Sequence, residues 1–357
     1  MGIIVSKFGG SSTASAHNLK CIARIVRASP ARRCVVLSAP GIDDTHAEKV
    51  TAMLERCWDE RKRPLAFENC AAAVAARYRE ICAGLGIPDM TRLVHRTLRR
   101  AASISLPHTL SRGEYLCALM FSRYTGWPVI DAAEVVAFDA RGQADEEQTR
   151  RNLSRLANLR APAVIPGFYG ADPSGCIRIL PRNGSDISGA LIAAGMEADL
   201  FENWTDVPGL MTADPALVPE ARLIPHVGYR QMRALSRAGA QVLHPACLDP
   251  VALAGIPTRL RDTLHPESFG TLIDERCDRI APCAAGRRDA PMPERPGIAA
   301  ACVSVFGVAE EIVRAAAGKL GALDVRRDGI AVKIHVEQDE YEDKLRKIHS
   351  ALILEQI

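Results

Sequence analysis

The chain has 357 residues, 48% hydrophobic and 24% charged, a globular composition that excludes a disordered protein. Its 45 Lys+Arg against 42 Asp+Glu leave a net charge of +3, too small an excess for a dedicated binder of nucleic acid or anionic membrane. At roughly 150 residues per domain, the length suits two or three units, or one large α/β unit with an appendage.

In chain order, the apolar run Ile3-Ile4-Val5 stops at Lys7-Phe8-Gly9-Gly10-Ser11-Ser12. A helix over about 16–28 follows, with Leu19, Ile22, Ala23 and Val26 at helical spacing. Cys34 to Ser38 reads as a buried strand ended by Ala39-Pro40-Gly41, which completes the strand–helix–strand rhythm of a mostly parallel sheet. Helical patterns fill 46–105, broken near Pro64 and Gly84 to Pro88. A helix at 107–125, a strand at Pro128 to Asp131, a helix at 146–159 and a strand at Ala163 to Pro166 come next. Gly167 to Leu180 reads as a hairpin, and an Ala-rich helix runs to Ala194. Strands at Leu200 to Trp204 and Thr258 to Leu260 bracket two further helices.

Gly270 to Ile273 closes this region, so the first domain is expected over 1–275. A linker with Pro282, Pro291, Pro293 and Pro296 is expected over 276–297, and a second domain over 298–357. In the latter, Ala301 to Phe306 and Ile330 to Val336 alternate like half-buried strands, and 308–320 and 339–353 read as amphipathic helices, a βαββα unit. Arg92, His95, Arg96, Arg99 and Arg100 read as one solvated helix face.

No stretch of the length needed to span a bilayer is continuously apolar, and Met1 to Gly10 lacks a signal-peptide pattern. The 11 cysteines form no C-x-x-C pair, so neither a zinc site nor a disulfide framework is expected. The expectation is a cytoplasmic protein with reduced thiols.

Three short segments carry residue types suited to anion chemistry. At Lys7 to Ser12 two glycines let backbone approach a ligand, the following helix N-terminus favours an anion, and Lys7 adds a point charge. A tight turn with an exposed lysine is the plainer alternative; no G-x-x-x-x-G-K-[ST] loop occurs. Asn183-Gly184-Ser185-Asp186 is a second such turn, where Asp186 would otherwise serve as a helix cap. Its neighbour Arg182 can pair with a carboxylate in two-pronged fashion. Glu114, in Ser111-Arg112-Gly113-Glu114, opens or lies early in a helix, where a favourable dipole interaction is the alternative role.

Taken together and in this order, these segments resemble those of aspartate kinases, of the amino-acid-kinase fold. Gly167-Phe168, Trp204-Thr205-Asp206-Val207-x-Gly209, Thr212-x-Asp214-Pro215, Val242-Leu243-His244-Pro245 and Gly270-Thr271-Leu272-Ile273 extend the resemblance over about 1–275. It implies a three-layer α/β sandwich with a mostly parallel central sheet, followed by one small α+β ACT-like domain where relatives commonly carry two. It further implies transfer of the γ-phosphoryl of ATP, with Mg²⁺ held mainly through the phosphates, to the side-chain carboxylate of L-aspartate or a close analogue. No direct protein ligand to a metal is expected, and a homodimer or higher homo-oligomer is.

Residue by residue, the resemblance makes Lys7 and Asp186 catalytic. Ser38, Glu114, Arg182, Gly184 and Ser185 would bind the acid. Lys7, Gly9, Gly10, Ser11, Thr205, Asp206, Met211, Asp214 and Gln241 would bind the nucleotide. Departures cluster on the nucleotide side: Pro181 and Asn183 replace glycines, Met211 an aromatic residue, Ala216 an arginine and Gln241 a lysine. Asp43 stands where a threonine is common. Two other readings are a catalytically silent amino-acid-binding or regulatory subunit, and a kinase for another amino-acid-like carboxylate.

Overall fold

The computed structural model describes residues 2–154, 162–181, 183–240, 243, 245–290 and 299–354. It divides into two compact units, Met1–Val207 with Asp249–Ser268, and Pro208–Leu248 with Phe269–Ile357.

In the first unit, β1 (Ile4–Phe8) is followed by α1 (Ala16–Arg27), whose start is fixed by Ser15 accepting from the Asn18 amide at 3.2 Å. After β2 (Arg32–Leu37) come four helices, α2 (Val50–Asp59), α3 (Pro64–Leu85), α4 (Thr91–Ala102) and α5 (Leu106–Thr125). Their limits follow local chemistry. Pro64 begins α3, where its missing N–H has no intrahelical partner to lose, and Gly86 ends it at φ 70°. Ser105 caps α5 and Gly126 closes it at φ 78°. Leu54, Val74, Tyr78, Val94, Leu98 and Phe121 from these helices share one buried cluster with Leu19, Ile22 and Val26 of α1. The basic face of α4 is exposed, with His95 and Arg99 pairing with Glu68.

The chain continues through α6 (Ala132–Val135), β3 (Ala137–Phe138), β4 (Ala144–Asp145), α7 (Glu146–Ser154), β5 (Ala163–Pro166), β6 (Tyr169–Ala171), β7 (Ile177–Ile179), α8 (Gly184–Gly195) and β8 (Leu200–Thr205). Pro128 to Asp131, expected as a strand, forms only a single bridge, Val129 to Val164. Asp131 ends the extension by accepting from the Ala133 amide and capping α6. The part of the expected 146–159 helix beyond 154 lies outside the described residues.

The second unit contributes β9 (His226–Gly228) and α9 (Tyr229–Ala238), and the boundary between units falls within α10 (Pro245–Leu253). Then β10 (Thr258–Asp262) belongs to the first unit, and β11 (Thr271–Asp274) to the second. The first unit's main sheet runs β5-β2-β1-β8-β10, every neighbour parallel. A small sheet, β4-β3-β6-β7, carries the expected hairpin as the antiparallel pair β6 and β7. In the second unit β9 and β11 pair in parallel.

The last elements are β12 (Cys283–Arg287), β13 (Ala300–Phe306), α11 (Glu310–Lys319), β14 (Asp324–Asp328), β15 (Ala331–Glu337) and α12 (Tyr341–Leu352). The βαββα order stands, but the stretch 276–297 is more than a linker. It holds β12, which pairs antiparallel with β13 and makes the sheet four-stranded, β12-β13-β15-β14. Ala301, Val303 and Val305 of β13 and Val332, Ile334 and Val336 of β15 point to a core shared with Val313 of α11 and Leu345, Ile348 and Leu352 of α12. Among the described residues no helix is long and apolar enough to cross a membrane. All eleven cysteines are free.

Candidate active site

Lys7 lies inside β1 rather than after it. The strand is flanked by β2 and β8, and its parallel register sets Lys7 beside Val36 on one side and Asn203 on the other. Alternation therefore puts Lys7 and Asn203 on one face of the sheet, and Ser6, Glu202 and Trp204 on the other. Lys7 is 5% exposed, so its ammonium requires a partner. That partner is Asp186, an ion pair whose carboxylate also accepts from Asn203 Nδ2 at 2.9 Å. A Cβ on Gly189 would stand 3.0 Å from Lys7 Cβ, so α8 lies directly on the lysine stem.

Asp186 is not the cap of α8. Asn183 holds that position at φ 61°, the left-handed region that asparagine tolerates, and Gly184 and Ser185 are the first helical residues. Asp186 thus sits in the first turn, where its charge suits the helix dipole, and turns towards the sheet. The Gly-Phe turn closes over this helix start. Phe168 has φ 77° and its amide donates to Ser188 Oγ at 3.0 Å. A Cβ on Gly184 would meet the Phe168 ring at 2.7 Å, and one on Gly167 would meet Ser185 at 2.9 Å.

Beyond Lys7 the strand ends in Gly9 and Gly10, and Ser11 opens a short 3₁₀ turn. The Gly9 amide donates to the Trp204 carbonyl at 3.1 Å, and Thr13 Oγ1 donates to the carbonyls of Gly10 and Ala39 at 3.0 and 3.1 Å. These bonds tie the turn to β8 and to the turn after β2. A Cβ on Gly9 would stand 3.5 Å from Lys7 Nζ. Ser38 follows β2 and its amide donates to the Phe8 carbonyl at 3.1 Å.

Glu114 lies in the third turn of α5, too deep for the dipole at the helix start. It is 4% exposed, and its Oε2 has no hydrogen-bond partner. Burial pushes its pKa up to about 8, only partly offset by a backbone hydrogen bond from Ala39 and by the charge of Arg112. Its helix packs on the Ala39–Gly41 turn: a Cβ on Gly113 would meet Ala39 Cβ at 2.9 Å. The structure therefore gathers Lys7, Gly9, Gly10, Ser11, Ser38, Glu114, Gly184, Ser185 and Asp186 around the ends of β1 and β2.

Thr205 ends β8, its hydroxyl donating to Asp206 Oδ1 at 3.0 Å, and its carbonyl accepts from Thr263. Met211 and Asp214 belong to the second unit. Met211 bridges Leu223, and Asp214 accepts from the Ala216 amide at 3.0 Å, ordering its own turn. Arg182, Gln241, Val242 and His244 lie outside the described residues.

Three features escaped the sequence reading. One is Asn203, detectable only through its register with Lys7. The second is Glu202, buried on the opposite face, which takes two bonds from Arg32 at 2.8 and 2.9 Å, with Ser6 and Trp204 Nε1 at 2.9 and 3.0 Å. Burial works to raise its pKa, but these partners hold it below the usual value. The third is the pairing of Asp43 with Arg77; Asp43 also accepts from Thr45 and lies 2.9 Å from His46 Nδ1. Burial opposes its charge, yet these contacts keep it well below the ordinary carboxylate range.

The amino acid kinase family profile matches residues 2–262. The chain belongs to the amino acid kinase family. Among curated relatives of this kinase-family chain, aspartokinase 3 of Bacillus subtilis is 33% identical over 290 residues, covering 77% of the chain and 64% of the relative. The chain spans less than two thirds of the length of the curated relatives it matches. Among solved structures, the aspartate kinase of Clostridium acetobutylicum superimposes with a TM-score of 0.85 at 26% identity, covering 98% of this chain and all of that one. Aspartokinase III of E. coli, in complex with aspartate and ADP, gives 0.80 at 21% identity over 98% of this chain and 99% of its own, a likeness of fold.

Proposed function

We propose that the chain is an aspartate kinase that transfers the γ-phosphoryl of ATP to the side-chain carboxylate of L-aspartate, giving 4-phospho-L-aspartate. The observation that carries this reading is the buried Lys7–Asp186 pair at the start of α8, beside a glycine turn and a buried carboxylate with an unpartnered oxygen. An aspartate carboxylate is ionised near neutral pH and is itself the nucleophile, so no general base is required. What the reaction needs is alignment of two anions and neutralisation of the charge that passes between them. Lys7 supplies that positive charge, and Asp186 and Asn203 fix its position. The amides at the start of α8 and those of Gly10 and Ser11 favour phosphate oxygens.

Glu114 Oε2 is suited to the α-ammonium of the acid, with Ser38 and Ser185 as neighbouring polar groups. The family resemblance adds Arg182 on the carboxylate, and Thr205, Asp206, Met211, Asp214 and Gln241 on the nucleotide. Mg²⁺ would ride on the phosphates, with Asp186 as the carboxylate nearest Lys7. We read the division as a kinase domain over 1–275 and an ACT-like domain over 298–357, the latter extended by β12. A homo-oligomer and a cytoplasmic location complete the proposal.

The test traps the acyl phosphate with hydroxylamine in the presence of Mg²⁺ and ATP. Aspartyl hydroxamate should form in step with ADP, and Lys7→Ala should lower kcat by about 10³-fold or more, as for loss of a charge-stabilising donor. Hydroxamate from another acid alone would move the substrate assignment. Absence of product with every acid and nucleotide would overturn the kinase reading.

A further inference from the structure

The four-stranded sheet buries its apolar face against α11 and α12, so its other face must carry what alternates with that core. In register across the strands, one row reads Arg287, Cys302, His335 and Asp324, and the next reads Ala285, Ser304, Lys333 and Arg326. This polar face is partly roofed. Gln231 of α9 donates to the Ala281 carbonyl at 2.7 Å, and a Cβ on Gly239, at the end of α9, would stand 2.9 Å from Arg287 Cγ. Between the end of α9 and the sheet lies a cavity of about 290 Å³, at the lower end of small-molecule sites.

Its floor is polar and buried: Ser304 is 2% and His335 6% exposed, and His335 Nδ1 has no hydrogen-bond partner, with Asp324 Oδ2 3.6 Å away. Its walls bring together Arg237 of α9, Arg287 of β12, Arg326 of β14 and Lys333 of β15. Arg326 and Lys333 stand directly opposite each other across the strands, an arrangement that costs stability when nothing lies between the charges. Asp324 and Asp328 compensate in part, at 2.7 Å from Arg326 and 2.5 Å from Lys333. Asp289 is the one carboxylate in the lining. Among the described residues Arg237 and Arg287 have no ion-pair partner, and both face this cavity.

From this convergence of cations on a buried polar floor we infer that the cavity binds a small multivalent oxyanion, a phosphate or phosphate monoester. The guanidinium of Arg287 and the facing Arg326 and Lys333 would supply charge-assisted bonds, with Ser304 and His335 beneath. The site lies wholly in the second unit and does not depend on the kinase reading.

Calorimetric titration of the full chain at low ionic strength with inorganic phosphate, and separately with glycerol phosphate, tests this directly. Saturable binding is expected, and it should persist in Lys7→Ala, which separates it from phosphate held at the glycine turn. Arg287→Ala and Lys333→Gln should each weaken it about tenfold. A preference for the ester would identify a phosphorylated metabolite as the ligand, and equal binding would identify free phosphate. Binding that vanishes in Lys7→Ala, or survives unchanged in Arg287→Ala, would overturn the assignment, as would the absence of saturable binding. Should the variants fail to fold, the wild-type chain provides a second readout. Phosphate should slow alkylation of Cys302, followed by peptide mass mapping, while leaving exposed Cys176 unaffected. An unchanged Cys302 rate would equally overturn it.

Discussion

The two units place their charges on sheets in opposite ways. In the first, the parallel strands end together, and the buried charges on them meet one of opposite sign: Lys7 with Asp186 and Arg32 with Glu202. Glu114 of α5, with an open oxygen, is pushed by burial towards its neutral form. In the second, antiparallel pairing sets like charges, Arg326 and Lys333, across from each other on one face. A parallel sheet covered on both faces cannot leave a side-chain charge in mid-strand unpaired, so its chemistry moves to the strand ends. A sheet covered by helices on one face has no such restriction on the other.

The contrast is most sharply broken by Arg32→Ala. It leaves Glu202 buried without its two-pronged partner, and the expected loss is about 3 to 5 kcal/mol in denaturant unfolding. A smaller loss would mean that Ser6, Trp204 and Arg261, whose Nη1 lies 3.4 Å from Glu202 Oε1, suffice to hold the charge. Next comes the pH dependence of acid binding. With a pKa of about 8, Glu114 is protonated in the free protein below that pH. An ammonium ligand favours the ionised form, so binding must expel the proton. Aspartate affinity should rise with pH towards 8, approaching tenfold per unit well below it, and a proton should be released on binding. Glu114→Gln should abolish both the slope and the proton, as read by calorimetry in two buffers.

Asn203→Ala tests whether Asp186 needs its second contact. It should lower kcat about tenfold with little change in the KM for aspartate, the pattern expected of a positioning residue. The smallest effect belongs to the second unit. In phosphate-free buffer Lys333→Gln should leave the melting temperature unchanged or raise it slightly, because the surface pair with Asp328 contributes little while repulsion from Arg326 is relieved. A clear drop would show that the like-charge row is already neutralised.

The legibility of the molecule followed the same division. Turn chemistry and helical spacing marked β1, α1, β2 and the helices over 46–125, because breaks such as Pro64 and the Gly84 to Pro88 stretch act locally. They could not reveal β12, whose Ala-Ala-Gly run lacks any strand signature and lies among prolines and charges that suggest a linker. Pro128 to Asp131 failed in the reverse direction, since its β-like residues are overruled by the capping of Asp131. Lys7, Glu114 and Asp186 are singled out by residue type and by the family resemblance. Asn203, Arg32 and Glu202 are not, because their meaning arises only when β8 is set beside β1. Of the departures among Gly-rich residues, Asn183 takes the left-handed conformation that suits a glycine.

The turn at Gly41 has one further consequence. Its amide donates to the Gly10 carbonyl at 2.8 Å, and a Cβ there would come within 2.6 Å of Gly10 C. Two loops from neighbouring strands thus mesh backbone to backbone, like adjacent teeth with no cushion between them. Whatever displaces the loop after Ser38 must also displace the loop after Lys7. In the proposed kinase, docking of one reactant would therefore be felt by the cradle of the other without any side chain relaying the message.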